Sequence, residues 1–207
     1  MRKMYLSAPL PFVGQKRMLA KEFMKVLEQY PDGTLFVDLF GGSGLLSHIT
    51  KSLKPHSTVI YNDFDNYRFR MKHIPQTNQL LADIREMVGN SVPRHKIIKG
   101  ELRERIFSRI EQEENSTGYV DFITLSSSIL FSMKYKLSVQ DMRKEALYNN
   151  IRKTGYPECT DYLEGLEIVS CDYKEVFNRY KDIPGVVFLV DPPYLSTDVG
   201  KIGRAHV

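Results

Sequence analysis

The sequence predicts an α/β protein, with a parallel sheet of about four strands interrupted by a helical insertion. Short apolar segments of strand length occur near both ends of the chain, at residues 35–40, 58–61, 166–170 and 186–190. A glycine-rich turn joins the first segment to a helical pattern, which is the strand, turn and helix order of open α/β sheets. Between residues 66 and 165 this alternation stops, and the apolar spacing there is helical.

The composition is that of an ordinary globular protein. Hydrophobic residues make up 42% and charged residues 26% of the 207 positions, as is typical of a globular domain. No apolar run reaches the length of a membrane span, and the first residues lack the apolar core of a signal peptide. The two cysteines, Cys159 and Cys171, have no metal-ligand spacing. We therefore expect a cytoplasmic protein with free thiols, no membrane association and no metal.

The chain opens with a short motif ahead of a helix. Residues 11–16 read PFVGQK, and the helix that follows ends before the turn Pro31-Asp32-Gly33. The apolar residues that recur on one face of this helix are Leu19, Phe23, Val26 and Leu27. Interpreted without the rest of the chain, Phe12 is a core residue and Lys16 is a solvated residue of the first helical turn.

The first strand runs directly into a glycine turn. The segment Gly41-Gly42-Ser43-Gly44 follows it, and an apolar helix is predicted from Leu45 to Leu53. Such a turn lets a ligand approach the backbone and places the positive end of a helix next to it. The spacing is not that of a dinucleotide-binding loop, and the lysine of a phosphate loop is absent. The pattern is D-x-F-x-G-x-G, with Asp38, Phe40, Gly42 and Gly44 in its fixed positions.

An acidic residue closes the second strand. Asp63 comes two positions after residues 58–61 and about twenty residues after the glycines. A carboxylate in this place is suited to bind both ribose hydroxyls of a nucleoside cofactor. Asp65 competes for that role, and without the glycine turn Asp63 would be interpreted as a helix N-cap.

The central segment carries two helical patterns and two basic stretches. Helices are predicted over residues 101–113 and 122–133. Lys and Arg outnumber Asp and Glu by six to two in residues 93–109, and by six to two again in residues 134–153. The candidate nucleic-acid-binding residues in these stretches are Arg94, Lys96, Lys99, Arg103, Lys134, Lys136, Arg143, Lys144 and Arg152. The tyrosines interleaved with the second stretch are Tyr135, Tyr148 and Tyr156. The pattern predicts a surface that binds phosphates and stacks on bases, with a solvated face as the plainer alternative.

The last predicted strand ends at a rigid turn. Residues 186–190 are apolar, and this strand is expected to be buried on both faces. It is followed by Asp191-Pro192-Pro193-Tyr194, whose prolines end a β ladder. The Asp191 carboxylate and the Pro192 carbonyl supply two hydrogen-bond acceptors, and Tyr194 supplies a stacking surface. Two acceptors aimed at the hydrogens of an exocyclic amine make its nitrogen more nucleophilic, which is electrostatic preorganisation.

Together these motifs resemble those of the DNA adenine-N6 methyltransferases. The resemblance rests on Asp191-Pro192-Pro193-Tyr194 after a strand, on the D-x-F-x-G-x-G loop upstream and on the insertion between them. It implies a Rossmann-like core that binds S-adenosylmethionine and transfers its methyl group in line to N6 of adenine in double-stranded DNA. It also implies that the opening segment closes over the cofactor, with Phe12, Gly14 and Lys16 in the matching places. In this family an acidic and aromatic pair, matched here by Asp172-Tyr173, holds the adenine end of the cofactor; alone, Asp172 would be a helix N-cap.

The resemblance assigns the site residues. The catalytic residues are Asp191, Pro192, Pro193 and Tyr194. The cofactor-binding residues are Phe12, Lys16, Asp38, Phe40, Gly42, Gly44, Asp63 and Asp172. Three alternatives stay open, namely transfer to cytosine N4, transfer to adenine in RNA, or a non-catalytic DNA-binding remnant.

The resemblance also divides the chain. It implies a cofactor half over residues 1–65, a helical target-recognition insertion over 66–165 and a catalytic half over 166–201. The family's fold continues with further strands, so we expect a core truncated after the catalytic motif. Residues 202–207, IGRAHV, match the translation of a common sequencing-library adapter and are expected to be a non-native tail. We expect a monomer, and the biological role, in restriction-modification or elsewhere, is left open.

Overall fold

The computed structural model describes residues 3–14, 16–131 and 134–192. Pro193 and Tyr194 of the catalytic motif lie outside the described residues, as does the predicted tail. The structure therefore bears on Asp191 and Pro192 but not on the last two residues of that motif.

The described chain forms two compact units. The first contains the described residues up to Phe69 together with those from Cys159 onward, and the second is Arg70–Glu158. The strands, in chain order, are β1 (Phe36–Asp38), β2 (Val59–Asn62), β3 (Ile97–Ile98), β4 (Leu147–Tyr148), β5 (Glu167–Val169) and β6 (Val187–Leu189). The helices are α1 (Ala20–Glu28), α2 (Leu45–Leu53), α3 (Tyr67–Lys72), α4 (Ile74–Val88), α5 (Gly100–Thr117), α6 (Phe122–Ile129), α7 (Val139–Arg143) and α8 (Tyr173–Tyr180).

A parallel sheet in the order β5-β2-β1-β6 forms the centre of the first unit. Phe36 of β1 pairs with Val59 of β2 and with Val187 of β6, so the three strands run in register. The predicted α/β class and its four parallel strands are confirmed, with bounds within two residues of those predicted. Because the strands are parallel, the carboxyl ends of β1, β2 and β6 lie side by side, at the edge where such sheets bind ligands.

Helices cover both faces of this sheet. On one face Leu27 of α1 and Ile49 of α2 pack in a buried cluster with Phe36. On the other face Val176 of α8 packs in a second cluster with Val37. Since successive residues of a strand point to opposite faces, Phe36 and Val37 bury β1 on both sides. Helix α2 has the bounds that the sequence predicts.

The last described strand lies at the edge of the sheet, and its predicted burial on both faces is wrong. Among the described strands, β6 pairs with β1 alone. Leu189 is buried, whereas Val187 and Phe188 are half-buried and Val190 is 60% exposed. An edge strand has one neighbour instead of two, so fewer atoms cover its side chains.

The second unit is mainly helical and also contains a short antiparallel ladder. Helix α5 confirms the helix predicted over residues 101–113 and extends it at both ends. The helix predicted over 122–133 is too long, because α6 ends at Ile129 and Leu130 is extended. The sequence does not predict β3 and β4, whose two-residue pairing places Ile97 opposite Tyr148. Apolar runs of that length carry no period that identifies a strand.

A buried ion pair joins Arg70 to Asp121, the N-cap of α6, within the second unit. The Arg70 Nε donates to both carboxylate oxygens of Asp121 at 3.2 Å, and the two side chains are 8% and 1% exposed. Asp121 also caps α6, because one of its oxygens accepts from the Thr124 N–H at 3.0 Å. Loss of either charge would leave the other one buried without compensation.

Membrane spans and metal clusters are absent from the described residues. No helix within these ranges is long and apolar enough to cross a membrane. No three or more His, Cys, Asp or Glu side chains there are grouped so that they could hold a metal ion.

Candidate active site

The side chain of Asn62 forms hydrogen bonds that link the ends of three strands. Its Nδ2 donates to the Leu39 carbonyl and to the Cys171 carbonyl, both at 3.0 Å, and its Oδ1 accepts from the Cys171 N–H at 3.1 Å. Asn62 ends β2, while Leu39 follows β1 and Cys171 lies just beyond β5. Sequence analysis missed this residue, and the signal that could have found it is a polar side chain at the end of a fully apolar strand.

The glycine turn is packed against an aromatic ring from the next strand. A Cβ added at Gly41 would lie 2.3 Å from the Tyr61 ring. Tyr61 is buried, and its hydroxyl donates to the Gly42 carbonyl at 2.8 Å. Gly42 and Gly44 have φ angles of +50° and +71°, in the left-handed region that favours glycine. The turn is therefore fixed both by its own backbone and by Tyr61, with α2 starting at Leu45.

Asp38 is a buried carboxylate at the start of this turn. It is 1% exposed, and the Ser47 hydroxyl donates to its Oδ2 at 2.7 Å. Its Oδ1 has no hydrogen-bond partner among the residues that the structure describes. Burial raises the pKa of Asp38 to about 7, the hydrogen bond from Ser47 opposes that rise, and the negative charge of Asp191 adds to it. The edge of the sheet thus holds a buried carboxylate with an acceptor position that suits a cationic group.

Lys16 and Asp191 form an ion pair at the same edge. The Lys16 Nζ lies 3.0 Å from the Asp191 Oδ1, and the side chains are 17% and 25% exposed. Asp191 comes two residues after Leu189, which pairs with Asp38. The fold therefore brings the opening segment, the start of the glycine turn and the end of the last described strand to one place. Pro192 is exposed next to Asp191.

Phe12 lies against the glycine turn. Its Cε1 is 2.9 Å from the position of a Cβ on Gly42, and its ring packs edge-on against Tyr67 with 5.8 Å between centroids. Phe12 is half-buried rather than part of the core. The interpretation of Lys16 as a solvated residue is wrong, because its side chain is mostly buried against Asp191.

Asp63 caps helix α3. Its Oδ1 accepts from the Tyr67 N–H at 2.6 Å and lies 3.1 Å from the Tyr61 hydroxyl, whose single hydrogen it shares with the Gly42 carbonyl. Its Oδ2 accepts from the Arg68 N–H at 2.9 Å, and burial raises the pKa of Asp63. Asp63 thus accepts from the first two N–H groups of α3, as the N-cap interpretation predicts, from three residues before Asn66, which directly precedes the helix. Oδ2 keeps a second lone pair. The ribose-binding role of Asp63 stays a prediction, as does the competing role of Asp65, which is half-buried.

Asp172 is the N-cap of helix α8. Its side chain accepts from the Lys174 N–H at 2.8 Å, as one of the two sequence interpretations predicts. The next residue, Tyr173, packs on Phe40 with 4.8 Å between the ring centroids and 34° between the ring planes. This pair places an aromatic surface next to the glycine turn. The cofactor-binding roles of Asp172 and Phe40 stay predictions.

The predicted nucleic-acid-binding cations fall into two groups within the second unit. Those that form ion pairs with carboxylates are Arg103, Lys134, Lys136, Arg143 and Lys144. Those without a carboxylate partner among the described residues are Arg94, Lys96, Lys99 and Arg152. The sequence gives no sign of this division, because the partners of the first group include residues distant in the chain, such as Glu104 and Glu111 for Arg143.

The parallel sheet, the glycine turn and the carboxylate at the strand end define a class of protein. The chain is an α/β protein with the Rossmann-like fold of the S-adenosylmethionine-dependent methyltransferases. Within that class it belongs to the D12 class N6 adenine-specific DNA methyltransferases, whose family model matches residues 12–201. It is also similar to a Haemophilus influenzae protein named "Putative methyltransferase", with 40% identity over 200 residues, 95% of this chain and 67% of the relative. The family predicted from the motifs is confirmed.

Proposed function

We propose that this chain is a site-specific DNA methyltransferase that transfers the methyl group of S-adenosylmethionine to N6 of adenine in double-stranded DNA. Its family makes it a methyltransferase, and the proposal concerns the base and the nucleic acid. The observation that carries it is the position of Asp191. Its carboxylate lies at a strand end, close enough to Asp38 for its charge to act there, and forms an ion pair with the Lys16 ammonium group.

Asp191 is suited to accept a hydrogen bond from an exocyclic amine. Adenine N6 is a weak nucleophile because its lone pair is conjugated with the ring. The Asp191 carboxylate and the Pro192 carbonyl are two acceptors for its hydrogens, and such acceptors localise the lone pair on the nitrogen. The nitrogen becomes acidic only as it is methylated, so Asp191 does not have to be a strong base.

The ion pair with Lys16 supports the proposal that a nitrogen donor can reach the Asp191 carboxylate. The Nζ reaches Oδ1 at 3.0 Å in a partly buried setting, which is the distance that a target amine would need. Lys16 must therefore move or share this oxygen when a base enters. The base itself must leave the duplex stack, at a cost of a few kcal/mol.

The residues at the glycine turn fit a cationic nucleoside cofactor. S-adenosylmethionine carries an ammonium and a sulfonium group, and when bound it supplies a methyl group that is already activated for transfer. A positive group next to Asp38 would keep this buried carboxylate ionised and would use its Oδ1, which lacks a hydrogen-bond partner among the described residues. The residues that we propose to hold the cofactor are Phe12, Lys16, Asp38, Phe40, Gly42, Gly44, Asp63 and Asp172.

Asp191→Ala tests the proposed reaction. Wild-type protein, S-adenosylmethionine and duplex oligonucleotides are expected to yield N6-methyladenine, detected by mass spectrometry of the nucleosides. The variant is expected to lose this product while its cofactor affinity stays within about tenfold, roughly 1.4 kcal/mol. Asp182→Ala, which removes an exposed carboxylate from the same unit, is the matched control and should keep the activity. Turnover by Asp191→Ala would refute the role of Asp191, and a product found on cytosine or only on RNA would replace the adenine and DNA assignment.

A further inference from the structure

Carboxylates pair with five cations of the α5 and α7 side of the second unit, although Arg105 of α5 has no carboxylate partner among the described residues. The lysines at Glu145 hold its pKa below the ordinary value, as expected for an ion pair. The ion pairs have N···O distances of 2.5 to 2.9 Å. Arg143 pairs with Glu104 and Glu111. Lys134 and Lys136 each pair with Glu145, and Lys144 pairs with Asp141. A phosphate group could bind these cations only by sharing or displacing a carboxylate, so carboxylates of the protein already balance most of their positive charge.

Two loops of the same unit lie side by side at one end of the β3–β4 ladder, residues 92–96 and 149–153. The His95 N–H donates to the Asn149 carbonyl, and the Asn149 N–H donates to the Lys96 carbonyl, both at 2.9 Å. The Asn149 side chain also donates to a carbonyl of the first loop at 2.6 Å. These bonds hold the two loops together as one surface.

This surface carries positive charge that no carboxylate matches. The cations of the basic loop surface, as we call it, are Arg85, Arg94, Lys96, Arg152 and Lys153. Within the described ranges none of the five has a carboxylate at ion-pair distance. Arg85 and Arg94 donate instead to backbone carbonyls of the second loop, and the Arg152 guanidinium lies 4.3 Å over the Tyr156 ring. Carbonyl and ring contacts orient these guanidinium groups without cancelling their charge.

We propose that the basic loop surface, and not the α5 and α7 side, binds the phosphate backbone of the DNA duplex. This rests on the proposed function, which makes duplex DNA the partner. Each phosphate neutralised by a protein cation releases condensed counterions from DNA, so a cation contributes most where no carboxylate has neutralised it first. Arginines that are already oriented also lose less conformational freedom on binding. Lys99 lies at the other end of β3 and is not part of this surface.

Two double variants with the same change in charge test the proposal. Lys96→Gln/Lys153→Gln removes two positive charges from the basic loop surface, and Lys134→Gln/Lys144→Gln removes two from the other side. Each lowers the net charge by two, from +4 to +2, and all four side chains are exposed. Binding of the full chain to a fluorescent DNA duplex is measured by anisotropy between about 50 and 200 mM salt. Thermal unfolding of each variant checks that the fold is kept.

The loop variant is expected to lower the slope of log K against log salt by about 1.8, because each phosphate contact contributes about 0.9. Its affinity at ~100 mM salt should fall by about tenfold or more. The other variant should stay within about twofold of wild type, because carboxylates already pair with both lysines that it removes. Equal losses in both variants, an unchanged loop variant, a wild-type chain that does not bind duplex DNA, or tighter binding to duplex RNA would each overturn the proposal.

The two proposals fail in different ways. Methylation of adenine together with DNA binding that does not depend on Lys96 and Lys153 would refute the basic loop surface and leave the proposed function standing. DNA binding that depends on these lysines without any N6-methyladenine product would support the surface and refute the proposed function.

Discussion

Asp38 makes the stability of the first unit depend on pH. Its pKa rises from the ordinary value of 3.8 to about 7, chiefly because the group is buried. At about 1.4 kcal/mol per tenfold change in proton affinity, this favours the protonated folded state by about 4 kcal/mol. Between pH 3.8 and about 7 the folded chain keeps a proton that the unfolded chain has lost. The free energy of unfolding therefore falls as pH rises through that window. Above about pH 7, Asp38 makes no further contribution to the pH dependence.

Asp38→Asn removes this titration and keeps an acceptor for the Ser47 hydroxyl. Wild-type protein is expected to lose about 3 kcal/mol of unfolding free energy between about pH 5 and pH 8 through Asp38, and the variant is expected to lose none of it. Urea unfolding at a series of pH values measures both curves. The raised pKa of Asp63 affects both chains equally, so it cancels in the difference between them.

The exposed carboxylate of Asp182 supplies the matched control. Asp182→Asn makes the same chemical change at an exposed position, so the difference between the two variants isolates the effect of burial. Parallel profiles for wild type and Asp38→Asn would contradict the assignment, because they would mean that the Asp38 carboxyl titrates alike in the folded and the unfolded chain.

Two further predictions concern packing and buried charge. Gly41→Ala places a methyl group 2.3 Å from the Tyr61 ring and should cost about 1–3 kcal/mol in urea unfolding. In the double variant Gly41→Ala/Tyr61→Ala, removal of the ring should recover part of that loss. A double variant whose loss of unfolding free energy equals the sum of the two single losses would contradict the contact. Asp121→Ala leaves the Arg70 guanidinium buried without its partner and should cost about 3–5 kcal/mol. A loss below ~1 kcal/mol, the range of exposed pairs, would show that this pair is not buried in solution.

The strands of the first unit could be predicted because parallel strands buried on both faces form continuous apolar runs. β1 and β2 fit that rule, and their bounds lie within two residues of those predicted. β6 has the same apolar pattern in sequence but lies at the edge of the sheet that the described strands form. Strand order depends on contacts between distant segments, so an apolar run does not distinguish a central strand from an edge strand.

The glycine turn shows why a motif gives only part of a site. D-x-F-x-G-x-G assigns Gly42 and Gly44, yet the closest approach is at Gly41, which the pattern leaves open. The ring that requires this glycine belongs to Tyr61 on the neighbouring strand, twenty positions further on. Asn62 escapes detection for the same reason, since the groups that it bonds are brought together only when β1, β2 and β5 pair.

The opening segment owes its position to the core, which explains why its residues, interpreted alone, do not identify a site. Residues 3–14 contain no helix or strand of their own. The hydrogen bonds that anchor them run from the Tyr5 N–H to the His48 Nε2 and from the Leu10 N–H to the Tyr67 hydroxyl, both at 2.9 Å. His48 belongs to α2 and Tyr67 to α3, the helices that follow the glycine turn and Asp63. The path of the segment therefore depends on these helices, and that path sets Phe12 against the turn and Lys16 against Asp191. Residues of the same types in another loop would lack these anchors, so their spacing alone carries little information about the site.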